Sequence, residues 1–561
     1  MIAVALSLVI LLGLGPLLFP PRPTSKAPVP APAQVRPGAP SAVAKPAPST
    51  PPSTPAPIPV TAGAKAQEIV VESGLYRVTF STQGAVIKSW VLKVHTNAVE
   101  EEQDVISRPA CEALGYPMNI SLADQELAKK LNAAVYVATP SGPSLRAPAK
   151  IEFVYSDGKV QAKKQFAFGP THEVHVEASV FDGQNFLPVE ISWPGGFGDH
   201  SLPQAMIDAT SQAVYGRPDD LSTVAQRKAT EDKLIPGPLE IAGLEDKYFA
   251  GIFLPSSADQ TFRFGRRTWT PPDWAGKESD RPQPLFASLG SQQPKPLAFR
   301  LFVAPKKRDV LRAVNPPLDG LVNFGFFKWF AEPLFLALLY IHDHWVHNYG
   351  WAIIVLTILI NLLMFPLKLK QIKSAQEMQR IAPLMKDIQE KYKHLKFNDP
   401  RKQRMNEEMM KLYREHHINP LGGCLPMGLQ LPFLYGFYRV LDLPIELRHA
   451  PWIWWIKDLS APDKFHPWGF PVPILPTLMV ISMFIAQRMT PMPTADPAQQ
   501  RMMMIMPIVF GIMFYNLASG LVLYFLVANL VGIAQQLLIN KLVPRTPQQP
   551  GVPPKVLAAK E

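Results

Sequence analysis

Apolar positions follow two different patterns along this chain of 561 residues. Between residues 67 and 310 they alternate with polar positions over short runs, as in Leu75–Phe80 and Glu173–Glu177, which is typical of half-buried strands. Turn signals such as Asp157-Gly158 separate these runs. After residue 324 the apolar runs are long and unbroken. The chain is therefore predicted to combine a β-sandwich-like domain at 67–310 with a polytopic α-helical membrane region.

Five runs in the second half are apolar enough to predict membrane-spanning helices. They lie at 350–367, 421–441, 470–486, 502–518 and 521–539. The element before them, 324–345, mixes aromatic with charged residues, which favours a helix lying along the outer leaflet. A further span interrupted by Pro333 is the alternative for this element.

The first 66 residues contain two other kinds of segment. Residues 1–20 are apolar and predict an N-terminal anchor, with a cleaved signal peptide as the alternative. Residues 21–66 hold twelve prolines between Pro28 and Pro59. Such a segment favours polyproline II geometry, so it is expected to act as a semi-rigid linker.

The net charge of +11 is unevenly placed, and its placement predicts the topology. Residues 368–418 carry thirteen Lys/Arg against seven Asp/Glu, whereas the loop 442–472 carries three against four. The positive-inside rule places 368–418 in the cytoplasm and the loop outside. By alternation the β domain is outside, which is periplasmic in a Gram-negative cell, while the N-terminus and the tail 541–561 are cytoplasmic.

The basic segment 368–418 is itself predicted to be a helical hairpin, because its apolar residues recur in steps of three and four. They are Ile381, Met385, Ile388, Tyr392 and Leu395, and then Met405, Met409, Leu412 and His416. A kink is expected near Pro383 and a helix restart at Asp399-Pro400.

Two interpretations of this hairpin remain open. It is either a solvated hairpin whose charge only fixes topology, or a docking arm for ribosomal RNA, targeting factors or anionic lipid head groups. The basic residues that would serve such an arm are Lys386, Lys391, Arg401, Lys402 and Arg404.

Polar residues inside the predicted spans are the main candidates for function. Thr357 and Asn361 are four residues apart and share a helix face, and Lys368 follows seven residues later on nearly the same face. Gln430 lies within the second span. Tyr524 and Asn529 lie in the last span. A polar side chain in lipid is costly unless it faces a partner or water, so these residues either line a cavity or hydrogen-bond between helices.

No enzymatic or metal site is expected. The two cysteines, Cys111 and Cys424, fall on opposite sides of the predicted membrane, which argues against a disulfide between them. The His342-Asp343-His344 cluster and His347 are better explained as membrane-interface residues than as metal ligands. We find no phosphate-binding GxxxxGK loop and no catalytic constellation, so no cofactor is predicted.

Several segments resemble one family, the YidC-type membrane protein insertases. They are NPLGGCLP at 419–426, QLPFLYGFYRVL at 430–441, ELRHAPWIWWIKDLSAPD at 446–463, DPAQQRMMMIMP at 496–507 and SGLVLYFLVANLVGIAQQ at 519–536. The resemblance covers roughly 324–541, and the anchor, linker and outer domain are similar in arrangement to the Gram-negative form. The family resemblance favours groove lining for Thr357, Asn361 and Gln430.

The resemblance implies an insertase and chaperone of the inner membrane that is not an enzyme. Its five spans would enclose a hydrophilic groove open to the cytoplasm and to lipid, and its outer domain would be a β-supersandwich. Nascent membrane proteins would be its clients, with the Sec translocon, ribosomes and targeting factors, and membrane lipids as partners. A solute transporter is the rival class, although the spans show no internal repeat.

The chain departs from the family at one position. The family usually places an arginine in the groove, and alignment on Met364–Leu367 puts Asn361 there. We expect Asn361 to keep the groove hydrated and Lys368 to supply charge at its entrance.

Overall fold

The computed structural model describes residues 58–272, 274–278, 281–392, 401–416, 425–463, 465, 472–489 and 497–542. The chain divides into two compact units. Among the described residues, one unit, the β unit, combines those of 58–350 with 432–461, and the other, the helical unit, contains those of 351–431 and 462–542. The predicted anchor 1–20 and most of the linker 21–66 lie outside the described residues.

The β unit contains twenty strands in its described part. They are β1 Glu68–Glu72, β2 Tyr76–Ser81, β3 Val86–Thr96, β4 Glu102–Asp104, β5 Asn119–Ser121, β6 Val137–Thr139, β7 Ser144–Arg146, β8 Ala149–Ser156, β9 Gln161–Phe168, β10 Glu173–Phe181, β11 Phe186–Leu187, β12 Glu190–Trp193, β13 Gln212–Arg217, β14 Asp220–Ala225, β15 Lys233–Ile235, β16 Ile241–Glu245, β17 Phe249–Pro255, β18 Gln260–Arg266, β19 Leu285–Ser291 and β20 Leu297–Pro305.

These strands form three sheets, which bears out the predicted β domain. The largest runs β14-β13-β16-β17-β20-β10-β9-β8-β6, with β11 beside β10. Two five-stranded sheets run β4-β3-β2-β1-β7 and β15-β18-β19-β12-β5. A single cluster of buried side chains from all three sheets, including Phe80, Phe253 and Phe262, forms the main core.

The predicted Asp157-Gly158 turn is confirmed. Ser156 of β8 pairs with Gln161 of β9, and Gly158 has φ 88°, a conformation that glycine adopts without a steric penalty. The Asp157 carboxylate accepts hydrogen bonds from the backbone N–H groups of Lys159 and Val160. Local turn chemistry therefore fixes the register of this hairpin.

A fully buried lysine lies inside the β domain. Lys164 on β9 is fully buried, and its Nζ donates to the backbone oxygens of Gly84, Ala85 and Met118 at 2.6, 3.2 and 2.6 Å. Burial lowers the pKa of Lys164 to about 7. Three carbonyls thus replace the water that the ammonium would otherwise bind.

The β unit also carries short helices and one long one. The α-helices are α1 Arg108–Leu114, α2 Gln125–Ala133, α3 Gln204–Thr210, α4 Arg308–Arg312 and α5 Lys328–His344, and the 3₁₀ helices are Gln226–Lys228, Asp319–Leu321 and Ile445–Leu447. Helix α5 falls within the predicted 324–345 element and contains Pro333. It buries Leu334 and Leu338 and leaves Trp329 70% exposed. Its placement along a leaflet stays a prediction.

The remaining helices are α6 Tyr349–Leu363, α7 Phe365–Lys391, α8 Arg401–Glu415, α9 Leu425–Asp442, α10 Ile474–Met489, α11 Pro497–Phe514 and α12 Ser519–Leu542. Among the described residues, Ser519–Lys541 is the one helix long and apolar enough to cross a membrane. Tyr349–Leu363, Ile474–Met489 and Met504–Phe514 are shorter apolar helices. The five-span arrangement stays a prediction, as do the domain boundaries. The first apolar helix ends at Leu363, and the predicted boundary at 367 falls inside α7.

Helices α7 and α8 pack against each other through their apolar faces. Met378, Ile381, Met385 and Leu412 are buried together. Lys391 and Tyr392 contact Glu408, while Met385 contacts Tyr413, so the helices run antiparallel. The expected position of His416 on this face is wrong: His416 is exposed just after α8 ends, and Tyr413 packs there instead. The predicted restart at Asp399-Pro400 lies outside the described residues.

Candidate functional site

The helical unit exposes large apolar side chains and buries polar ones. Its exposed apolar residues include Leu362, Leu363, Ile481, Ile505, Ile508, Ile512, Leu530 and Leu537. Its buried polar residues include Thr357, Asn361, Ser482, Ser519, Gln535 and Gln536. This is the reverse of the arrangement in a water-soluble bundle, and it fits helices that have lipid outside and polar groups between them.

Four of the polar residues form one connected cluster, which we call the polar network: Thr357, Asn361, Lys368 and Gln535. The Lys368 Nζ donates to Asn361 Oδ1 at 2.7 Å and to Gln535 Oε1 at 3.1 Å. The Gln535 Nε2 donates to the Asn361 backbone oxygen at 2.9 Å, and Asn361 Nδ2 donates to the Thr357 backbone oxygen at 2.8 Å. Thr357 Oγ1 in turn donates to Ile353 O at 2.6 Å.

Helical geometry explains half of this network. Residues 357 and 361 stack on one face of α6, and the chain continues into α7 so that Lys368 reaches back over that face. The predicted shared face of Thr357, Asn361 and Lys368 is therefore confirmed. Gln535 was missed by sequence reasoning, because it lies on α12, 174 residues from Asn361. Its position in an apolar helix, beside Gln536, was the available signal.

A second polar contact joins α10 to α12. Asn529 Nδ2 donates to Ser482 Oγ at 3.0 Å, and Ser482 Oγ donates to the Met479 backbone oxygen at 2.7 Å. Ser482 is 3% exposed and was also missed. For Asn529 the structure therefore shows an interhelical hydrogen bond, the alternative that the sequence left open.

The other candidates are distributed as follows. Tyr524 is 9% exposed on α12. Gln430 lies in α9, but its side chain is outside the described part of the structure. Hence, of the five predicted groove residues, Asn361 contacts Lys368 directly and Thr357 joins the network through Asn361, while Asn529 lies in a separate contact.

Four of the predicted docking-arm residues, Lys386, Lys391, Arg401 and Arg404, are on the surface of α7 and α8, and the lysines Lys386 and Lys391 have acidic partners. Lys391 Nζ lies 2.8 Å from Glu408 Oε1, and Lys386 Nζ lies 3.9 Å from Glu390 Oε1. Arg401 and Arg404 are exposed, whereas the Lys402 side chain is outside the described residues. Part of the basic charge thus stabilises the hairpin itself, although each exposed pair contributes little.

The histidines near α5 are involved in stacking. The His342 ring lies 3.8 Å from the Tyr349 ring with an interplanar angle of 8°, and the His344 ring lies 4.3 Å from that of Tyr340. Within the described ranges no group of three His, Cys, Asp or Glu side chains is placed to hold a metal.

The polar network can therefore provide a polar, positively charged surface between apolar helices. It contains one cation, Lys368, and no carboxylate, so it favours polar or anionic groups of a guest segment. The described members of the network supply no nucleophile with an attached base, which chemistry on a bound substrate would require.

Comparisons with known proteins identify the family. Residues 68–337 match the family described as YidC periplasmic domain, and residues 340–546 match the 60Kd inner membrane protein family. The chain is 33% identical over 576 residues to the membrane protein insertase YidC of Geobacter metallireducens, covering 97% of this chain and 98% of that one. This chain belongs to the YidC family of membrane protein insertases.

A second relative agrees with this assignment. The membrane protein insertase YidC of Syntrophus aciditrophicus is 33% identical over 511 residues, covering 86% of this chain and 87% of that one. Among solved structures, an active YidC insertase with its first transmembrane domain resolved is 19% identical, covers 86% of this chain and 95% of its own, and has a TM-score of 0.34.

Membership of the YidC family gives the chain its function and compartment. It is a membrane protein insertase of the inner membrane with a periplasmic β domain, and insertases of this kind are not enzymes. Nascent membrane proteins are its clients. Nothing in the comparisons supports a solute transporter.

Proposed function

We propose that the polar network is the part of this insertase that receives the polar portion of a client, and that Lys368 supplies the fixed positive charge there. The observation that carries the proposal is the 2.7 Å contact between Lys368 Nζ and Asn361 Oδ1. Asn361 occupies the position where the family resemblance leads us to expect an arginine. The Lys368 side chain thus brings its ammonium group to that position from the following helix.

The electrostatic argument follows from the surroundings of this ammonium group. Lys368 is half-buried, and its two hydrogen-bond partners, Asn361 and Gln535, are neutral amides. No carboxylate within the network neutralises it. A carboxylate on an incoming client would be attracted more strongly here than in bulk water, because the effective dielectric constant is lower.

The predicted topology and partners complete the proposal. Residues 368–418 would face the cytoplasm, the N-terminus would be cytoplasmic, and the spans would enclose a groove to which Gln430, Tyr524 and Asn529 also contribute. The hairpin α7–α8 would meet ribosomes, targeting factors or anionic lipids through Arg401, Lys402 and Arg404 and the exposed parts of Lys386 and Lys391. Larger clients would be handled beside the Sec translocon.

The test is a client series with different charges. We expect Lys368→Gln to reduce insertion of a small single-span client with an acidic translocated tail by about tenfold. Insertion of the same client with the acidic residues of its tail replaced by Asn or Gln should fall much less. The matched control is Lys370→Gln, because Lys370 is exposed two residues away on the same helix. Lys368→Arg should retain most of the activity.

Two outcomes would contradict the proposal. Equal loss for the acidic and neutral clients would mean that Lys368 does not act through charge. Full insertion of both clients by Lys368→Gln would show that Lys368 has no role in insertion.

A further inference from the structure

One loop segment next to a predicted span is built into the β domain. After α9 ends at Asp442, Pro444 precedes the 3₁₀ helix Ile445–Leu447. Ile445 is 4% exposed and belongs to the main hydrophobic core of the β domain. Leu447 is 1% exposed. The loop thus contributes Ile445 to a core that is made mainly of strand residues.

The residue that follows, Arg448, is held by a buried ion pair. Its Nη2 lies 2.6 Å from Asp199 Oδ2, and the two side chains are 4% and 1% exposed. The same nitrogen donates to Gln103 Oε1 at 3.3 Å. The guanidinium lies 5.0 Å from the Tyr248 ring centroid and 5.1 Å from that of Phe249, within cation–π range.

The partner carboxylate is fixed by contacts inside the β domain. Asp199 Oδ1 accepts hydrogen bonds from the backbone N–H and the hydroxyl of Ser201 at 2.9 and 2.5 Å. The Asp199 N–H donates to Asp246 Oδ2 at 2.9 Å. At Gly198, where φ is 118°, a Cβ would lie 2.3 Å from Asp246 Oδ2, so the backbone here requires glycine. Asp199 is therefore a rigid acceptor.

A second ion pair fixes the end of α9. Lys247 Nζ lies 2.7 Å from Asp442 Oδ1, with side-chain exposures of 18% and 25%. Asp442 is the last residue of α9, where a carboxylate is disfavoured by the helix dipole. Lys247 offsets that cost and connects the helix end to the turn before β17.

We propose that the β domain holds the outer end of α9 through Arg448 and Asp199, and that these are positioning residues for the helix that carries Gln430. The proposal rests on the proposed function, because Gln430 matters only if α9 lines the insertion groove. A buried ion pair adds little net stability compared with a packed apolar pair, so its value lies in specifying one position for the loop. Loss of either partner leaves a buried charge unpaired, which should release residues 442–448.

The test combines hydrogen exchange with insertion, both on the full-length protein. We expect Asp199→Asn and Arg448→Met each to raise amide exchange in 442–461 by at least about tenfold, with β10 and β20 unchanged. Insertion of a small single-span client should fall several-fold in the same variants. Arg448→Lys, which keeps the charge, should recover part of both signals. The matched control is Arg217→Ala, whose exposed pairing with Glu240 at 3.7 Å should leave both unchanged.

The outcomes separate this inference from the proposed function. If wild-type protein fails to insert the client, the proposed function fails. If wild type inserts the client and both variants release 442–461 but insert normally, the positioning role is overturned. Unchanged exchange in 442–461 also overturns it. If one of the two variants raises amide exchange throughout β10 and β20, its β domain has unfolded, and the positioning role is then judged from the other variant. Single substitutions test the ion pair more specifically than deletion of 67–310, because the deletion removes every β-domain residue that contacts the loop.

Discussion

The β domain and the helical unit place a buried or half-buried lysine in contrasting surroundings. In the β domain, Lys164 is fully buried and donates to three backbone oxygens. In the helical unit, Lys368 contacts the side chains of Asn361 and Gln535 across helices, while large apolar residues face outward. The difference teaches that the first arrangement stabilises a fold in water, whereas the second provides a polar surface within lipid.

Truncation of one isoleucine in each region tests this comparison most directly. Ile252 on β17 is fully buried, and Ile512 on α11 is 74% exposed. Ile252→Ala should lower the free energy of unfolding of the β domain by about 4 kcal/mol, because it leaves a cavity. Ile512→Ala should cost less than about 1 kcal/mol, since it leaves none. Thermal unfolding in detergent, followed by circular dichroism, measures both. Equal losses would show that the outer face of α11 is packed against protein.

Acidification should lower the free energy of unfolding of the β domain by about 2 kcal/mol through His172, a smaller effect than that of Ile252→Ala. Burial lowers the pKa of His172 to about 4, and its ring packs against Phe302 and Tyr76. Between pH 6.5 and 4 the unfolded chain binds a proton that the folded chain does not, so stability falls as the pH falls through this window. Above pH 6.5 this histidine adds no pH dependence.

Replacement of His172 tests the assignment. His172→Phe should make the loss of stability between pH 6.5 and 4 smaller by about 2 kcal/mol. His95, whose pKa is also lowered to about 4 by burial, accounts for part of the loss that remains. His175→Phe is the matched control, because His175 is exposed on β10 three residues later and should leave the slope unchanged. A slope as steep in His172→Phe as in the wild type would assign the acid sensitivity to other groups.

The β domain was largely predictable, and the reason is local. Alternation located strands such as β2 and β10, and the Asp157-Gly158 turn fixed a hairpin. The strands β16 and β17 were harder, because nearly all of their residues are buried and show no alternation. Strand order also has no local signature: β10 pairs with β20, more than a hundred residues later.

The candidate site was only half predictable. Spacing along one helix shows which residues share a face, and this placed Thr357, Asn361 and Lys368 together. It does not show which other helix faces them, so Gln535 and Ser482 were missed. The contacts of Arg448 were also missed, because the loop 442–472 was considered only for its charge and for its family resemblance. The buried residues Ile445 and Leu447 within a charged loop were the available signal.

A still smaller effect, on client insertion, is expected when Gln535 of the polar network is replaced. Gln535→Leu removes an acceptor from Lys368 Nζ and a donor to the Asn361 backbone oxygen. We expect client insertion to fall by about tenfold, equivalent to about 1.4 kcal/mol. Gln536→Leu is the matched control, because Gln536 bonds Asn540 on its own helix at 3.0 Å. Equal insertion by the two variants would mean that Gln535 serves packing alone.

The most direct test of the central claim is photocrosslinking from position 361 to a stalled nascent client. A photoreactive residue at 361 should capture the client's polar segment, and the capture should weaken in Lys368→Gln. The same probe at the outward-facing position 512 should capture lipid and little of that polar segment. Client capture at 361 no stronger than at 512 would contradict the claim that the polar network receives the client.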